Sequence, residues 1–131
     1  MAGTLTVTQV PKITRYGKEI NKITIDWTSD ASGNADVTVD LFGYLVKAVT
    51  KPGAAAPTNL YDITIVDPDG SACDAAGGLL ADRSSTLTEQ KYLTISGSSV
   101  PVLCAGTYTF TVANAGNAKN GTCYLYLVDD L

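Results

Sequence analysis

Chemistry needs groups that pass protons, attack electrophiles or hold ions, and this chain combines few of them. It contains no histidine. A Ser-His-Asp or Cys-His pair is therefore excluded, as is any zinc site that uses an imidazole. Its three cysteines, Cys73, Cys104 and Cys123, lie too far apart to read as a zinc site by spacing. No glycine-rich loop ends in Lys-Ser or Lys-Thr, and no dinucleotide fingerprint opens a helix. Carboxylates remain. Asp67, Asp69 and Asp74 fall in one stretch, DPDGSACD. Calcium takes oxygen ligands from closely spaced acids, but the third early ligand and the closing glutamate of a twelve-residue loop are missing. An Asp-rich turn is the plainer reading. Asp62, Asp82 and Glu89 offer no spacing that selects a glycosidase pair. The expectation is a protein that is not an enzyme and needs neither cofactor nor metal.

Aromatic residues are the second lead. Tyr44, Tyr61, Tyr92, Tyr108, Tyr124 and Tyr126 all fall on candidate strands. In the interior they would be core. Exposed in a row, they could stack on sugars or fill a protein interface. Tyr124 and Tyr126 are the pair expected at an interface, because Leu125 and Leu127 already supply the apolar face of the same strand.

Charge narrows the partners. Nine basic against thirteen acidic residues leave a net charge of −4, and the basic residues are scattered singly. Phosphate backbones are gripped by clustered Lys and Arg, so a nucleic-acid partner is not expected. No apolar run approaches the roughly 20 residues that span a bilayer, so no membrane partner is expected either. Met1-Ala2-Gly3-Thr4 has neither the basic start nor the apolar segment of a signal peptide. An odd, widely spaced set of cysteines reads as thiols made in a reducing cytoplasm. A bridge between Cys104 and Cys123, which flank consecutive candidate strands, stays open.

The elements that must position these residues are strands. Ile23, Ile25 and Trp27 alternate with Thr24, Asp26 and Thr28, so the apolar three share one face. Trp27, the only tryptophan, should anchor the core. Ser29–Ala35 is rich in turn formers, and Asp36–Phe42 resumes the alternation, so this stretch predicts a hairpin whose loop is free to touch a partner. Gly43 predicts a break, with a new strand over Tyr44–Thr50 that begins with a change of register or face. Lys51–Thr58 is a loop bracketed by two prolines, and Tyr61–Val66 is the next strand. Asp67-Pro68-Asp69-Gly70 is a turn, and Ser71–Glu89 reads as a long surface loop. Tyr92–Ile95 and Val100–Leu103 are short strands. Thr107–Val112 and Thr122–Val128 form a second predicted hairpin around Asn114–Gly121. The last of these strands is apolar on both faces, which suggests a central position or cover by another subunit. Gly3–Val10 precedes Pro11 and reads as an edge strand or extended arm. With 131 residues, one domain is the prior, since domains usually run about 100–200 residues. The fold class predicted is all-β: a single antiparallel β-sandwich (jelly-roll or Ig-like) of about eight short strands over residues 18–131, with an N-terminal arm or edge strand over 1–17.

Three stretches resemble segments of small virion structural proteins of tailed bacteriophages. They are Ile23–Asn34, the run Ala56–Thr64 continuing to Asp67-Pro68-Asp69-Gly70, and Val112–Gly121 followed by Tyr124–Leu127. Together they cover most of residues 22–127 in the same order. The resemblance implies a virion protein made in the host cytoplasm and supplies no catalytic residues. A capsid decoration protein is the leading expectation: a homo-oligomer, expected to be a trimer, bound to the major capsid protein or another virion protein. A neck, collar, tail or fibre component and a carbohydrate-binding module are the alternatives. The interface candidates are Leu5, Val7 and Val10 of the arm, with Tyr124 and Tyr126.

Overall fold

The alternating pattern does form strands, and no helix occurs among the described residues of this computed structural model. These are residues 3–9, 13–15, 18–69, 80, 82–92, 94–95, 98–99 and 102–128. The strands are β1 (Thr4–Gln9), β2 (Ile13–Arg15), β3 (Lys18–Thr28), β4 (Ala35–Pro52), β5 (Asp62–Val66), β6 (Glu89–Tyr92), β7 (Thr94–Ile95), β8 (Ser98–Ser99), β9 (Val102–Ala113) and β10 (Asn120–Val128). One antiparallel sheet has the order β1-β3-β10-β4-β9-β5, with β2 added to β3 and β6 added to β4; β7 and β8 pair with each other.

β10 is indeed central. It lies between β3 and β4, with Gly121, Cys123, Leu125 and Leu127 buried and the residues between them half-exposed. β1 closes one end of the order and pairs with β3 from Thr4↔Thr28 to Gln9↔Ile23, which makes it an edge strand. Leu5 and Val7 sit opposite Trp27 and Ile25 in that register. Val10 lies outside the described residues, as do Cys73, Asp74 and most of the expected loop 71–89.

Neither predicted hairpin forms. β3 pairs with β1 and β10, while β4 begins by pairing with β9. The segments 29–34 and 114–119 are instead arches that carry the chain across the core. A hairpin would have kept Ile23, Ile25 and Trp27 beside the apolar residues of β4 in one plane. A six-residue connection is long enough to turn the second strand over, so both apolar faces meet in one interior. The result is a single core cluster holding Trp27, Leu41, Phe110, Ile63 and Leu125 together. Trp27 of β3 and Tyr61 at the start of β5 are far apart in strand order, yet their ring centroids lie 5.4 Å apart. The sheet therefore curls over on itself.

The two arches are stapled to each other. The Ser29 N–H donates to Lys119 O (2.8 Å), and the Ala115 N–H donates to Gly33 O (3.0 Å). The Ser29 hydroxyl donates to Gly116 O and accepts from the Lys119 N–H. Gly33 has φ of 85°, and a Cβ there would stand 2.8 Å from Gly116 N, so glycine is required on both counts. The loop 29–35 is thus only partly free, with Ser29, Gly33 and Ala35 buried. The Gly-Asn-Ala tripeptide shared by 33–35 and 116–118 lies at the two ends of this contact.

Gly43 does not end a strand. β4 runs unbroken for 18 residues through Gly43, whose φ is 113°. The face change falls three residues later, at a bulge where Leu127 pairs with Leu45 but Tyr126 pairs with Lys47. Val46 is the extra residue. Before it Val39, Leu41 and Leu45 point inward; after it Ala48 and Thr50 do.

Gly121 tests the packing at the other end. It pairs with Trp27, and a Cβ on it would stand 2.6 Å from the indole Cζ2. Gly121→Ala is expected to lower unfolding free energy by about 1–3 kcal/mol through overpacking. Urea denaturation that matches the parent within error would show that the indole moves aside without cost.

Candidate functional site

Three of the acids that might have done chemistry, Asp62, Asp67 and Glu89, accept hydrogen bonds in turns and pairs. Asp67 accepts from the Asp69 N–H at 2.9 Å, which closes an Asx turn. Asp62 accepts from the Asp82 N–H (2.9 Å) and the Asn114 amide (2.8 Å). Glu89 accepts from the Ser84 N–H at 2.7 Å and stands 3.5 Å from the buried Arg83 guanidinium. Among the described residues no three His, Cys, Asp or Glu side chains group as metal ligands. Cys104 and Cys123 are buried thiols, not joined in a disulfide. Burial pushes the Cys123 thiol up to about 12 and, with a smaller contribution from Cys123, pushes the Tyr61 hydroxyl up to about 12 as well. Thr50 and Arg83 oppose the rise at Tyr61, and Glu89 adds to it. A raised pKa keeps these groups protonated and weakens them as nucleophiles.

Described residues line at least two shallow clefts. One of about 320 Å³ is lined by Asp26, Trp27, Thr28, Gly53, Asn120, Gly121 and Thr122. Its one carboxylate, Asp26, accepts from the Thr122 hydroxyl at 2.6 Å. The other, of about 250 Å³, has Asp30 and Asp36 on its wall. The Asp30 carboxyl is held below its usual value chiefly by the Asn34 N–H, with burial opposing and the Ser32 N–H adding, so it serves the arch. Neither cleft holds a nucleophile with a base.

The outer face of β3, β10, β4 and β6 is different. Register places Lys22 opposite Tyr126, Tyr126 opposite Lys47, and Lys47 opposite Tyr92. Four strands thus contribute one row of alternating cation and aromatic, spanning about 14 Å at the usual strand spacing. The Lys22 ammonium lies 4.3 Å from the Tyr124 ring centroid and 5.7 Å from that of Tyr126. The Lys47 ammonium lies 4.7 Å from the Tyr126 centroid and donates to Gln90 Oε1 at 2.9 Å. Contacts of this kind contribute about 0.5–1 kcal/mol each at exposed sites. They also fix the long lysine side chains, so less freedom is lost when a partner docks. Tyr92, at the end of the row, is 52% exposed.

Tyr124 and Tyr126 therefore lie where the strand pattern predicted, outward and half-buried, with Leu125 and Leu127 in the core. Tyr61 and Tyr108 are core residues. Lys22, Lys47 and Tyr92 were missed as partners of the pair. The available signal was their own period-2 placement, since all three sit at polar positions of strands.

A second outer face belongs to β9, β5 and the first part of β4. It carries Asp36, Asp40 and Asp62, and no Lys or Arg falls on β9, β5 or β4 before Lys47. Phe42 and Leu103 project from it, 61% and 63% exposed. Tyr44 pairs with Leu103 and Phe42 with Ala105, so the two exposed apolar side chains are diagonal neighbours. No family model and no curated protein matches this chain.

Proposed function

We propose that this chain is a non-enzymatic structural protein of a bacteriophage virion, built as a β-sandwich, that acts by adhesion as a capsid decoration protein. The observation that carries the reading is the row Lys22-Tyr126-Lys47-Tyr92 on a continuous sheet. Aromatic residues pinned by charged neighbours make a contact surface, since they bring large area at small entropic cost. The acids assigned to turns and pairs above leave adhesion as the simplest role. The three stretches that resemble tailed-phage virion proteins point to the same place. Such a protein is made in the host cytoplasm and assembles as a homo-oligomer, as a trimer, against the major capsid protein or another virion protein. It requires no cofactor, nucleic acid or membrane. Many copies, each with a modest interface, add through multivalency.

A sugar-binding role would need free ring faces. Here the ammonium groups of Lys22 and Lys47 already stand over the rings of Tyr124 and Tyr126, which disfavours it. The test is cryo-electron microscopy of purified phage heads. Density for this chain repeated over the outer lattice is the expected result. A ring of about a dozen copies at the neck or tail would move the protein there, and absence from purified particles would end the virion reading.

A further inference from the structure

The two outer faces of this sheet differ in charge and look away from one shared core. Lys22, Tyr126, Lys47 and Tyr92 lie on β3, β10, the second part of β4 and β6, whereas Asp36, Asp40, Phe42 and Leu103 lie on the first part of β4 and on β9, so different strands form the two surfaces. One surface presents Lys22 and Lys47 with Tyr124, Tyr126 and Tyr92. The other presents Asp36 and Asp40, both exposed, beside Phe42 and Leu103.

We infer that copies of this chain bind one another head to tail, the lysine–tyrosine face of one on the aspartate–phenylalanine face of the next. Charge decides the pairing. The first face carries Lys22, Lys47 and Lys51 against Asp26 and is net positive, and the second carries Asp36 and Asp40, so either face placed against its own twin opposes like net charge, which is unfavourable across an interface. A two-fold dimer through either surface is therefore disfavoured, and the contact that matches charge joins two different surfaces. Apolar groups match as well, since Phe42 and Leu103 need cover and the tyrosine row offers it. A contact of this type does not saturate at two copies; it closes into a ring or continues as a filament. Only a second copy of the chain is needed, so the inference stands or falls apart from any location in a virion.

The experiment is sedimentation of the purified full chain across a concentration series. The parent protein is expected to exceed monomer mass, with a dissociation constant that rises at least tenfold between about 0.05 and 0.5 M salt. Two reversed proteins are then made, Lys22→Glu/Lys47→Glu and Asp36→Lys/Asp40→Lys. Each alone is expected to sediment as a monomer, because its two faces now carry the same sign. Their equimolar mixture is expected to recover association, because every contact in it is again opposite in sign. The milder pair Lys47→Glu and Asp36→Lys answers the same question if a double change fails to fold by circular dichroism. The inference is overturned by a monomeric parent at millimolar concentration, by either reversed protein associating as the parent does, or by a folded mixture that stays monomeric.

Discussion

Trp27→Ala is expected to lower the unfolding free energy by about 3–5 kcal/mol in urea denaturation. The indole is 2% exposed, contacts Tyr61 and stands against Gly121. Its removal opens a cavity between strands at opposite reaches of the sheet order, where collapse would have to move both. Trp27→Phe is expected to cost markedly less. The indole Nε1 is buried without a hydrogen-bond partner, so phenylalanine removes an unsatisfied donor while keeping most of the ring. Equal losses for the two substitutions would mean that volume alone matters. A shift within error for alanine would mean that the ring does not hold the two parts of the sheet together.

The second large effect concerns alkali. Cys123 and Tyr61 are both pushed up to about 12 from ordinary values of 9.0 and 10.0. Both are neutral when protonated, and both give up the proton more readily in the unfolded chain. Above pH 9 the folded state therefore binds more protons, and stability must fall as pH rises. The contribution is whole below pH 9 and is lost between pH 9 and about 12. For Cys123 alone a rise of this size corresponds to roughly 4 kcal/mol at 1.36 kcal/mol per unit. Tyr61 acts in the same window, and because Cys123 contributes to its rise the two effects do not simply add. Urea midpoints measured from pH 8 to 11 should fall steeply in the parent. Cys123→Ala should flatten that slope, while the cavity left by the buried sulfur costs about 1 kcal/mol at every pH. An unchanged slope would show that water reaches the thiol.

How far the sequence reveals this depends on the distance over which a signal acts. Alternation is local, so the inward Ile23, Ile25 and Trp27 and the split of Tyr124 and Tyr126 from Leu125 and Leu127 were legible. Partner choice is not local. The strand–turn–strand pattern around Ser29–Asn34 looks the same for a hairpin and for an arch. Competition for the edge of β3, which β10 wins, decides between them. The parity change in β4 was misplaced at Gly43 for a related reason. Glycine takes the positive φ, but the extra residue is Val46, an ordinary strand former that only its register against β10 exposes. The lysine–tyrosine row was illegible for the same cause. Its members come from four strands, and no spacing along the chain aligns them.

The position of β10 has a consequence for how the protein is made. It is the last described strand to leave the ribosome and yet the middle of the sheet. Until it arrives, β3 lacks a neighbour on one edge and the second part of β4 lacks one too. The arch contact waits as well, since Ser29 meets Lys119 ninety residues along the chain. Pairings so distant in sequence form slowly, and open apolar strands invite wrong partners in the meantime. A nascent chain stalled before Asn120 should therefore be protease-sensitive and sticky, and its completion should close the sheet in one late step.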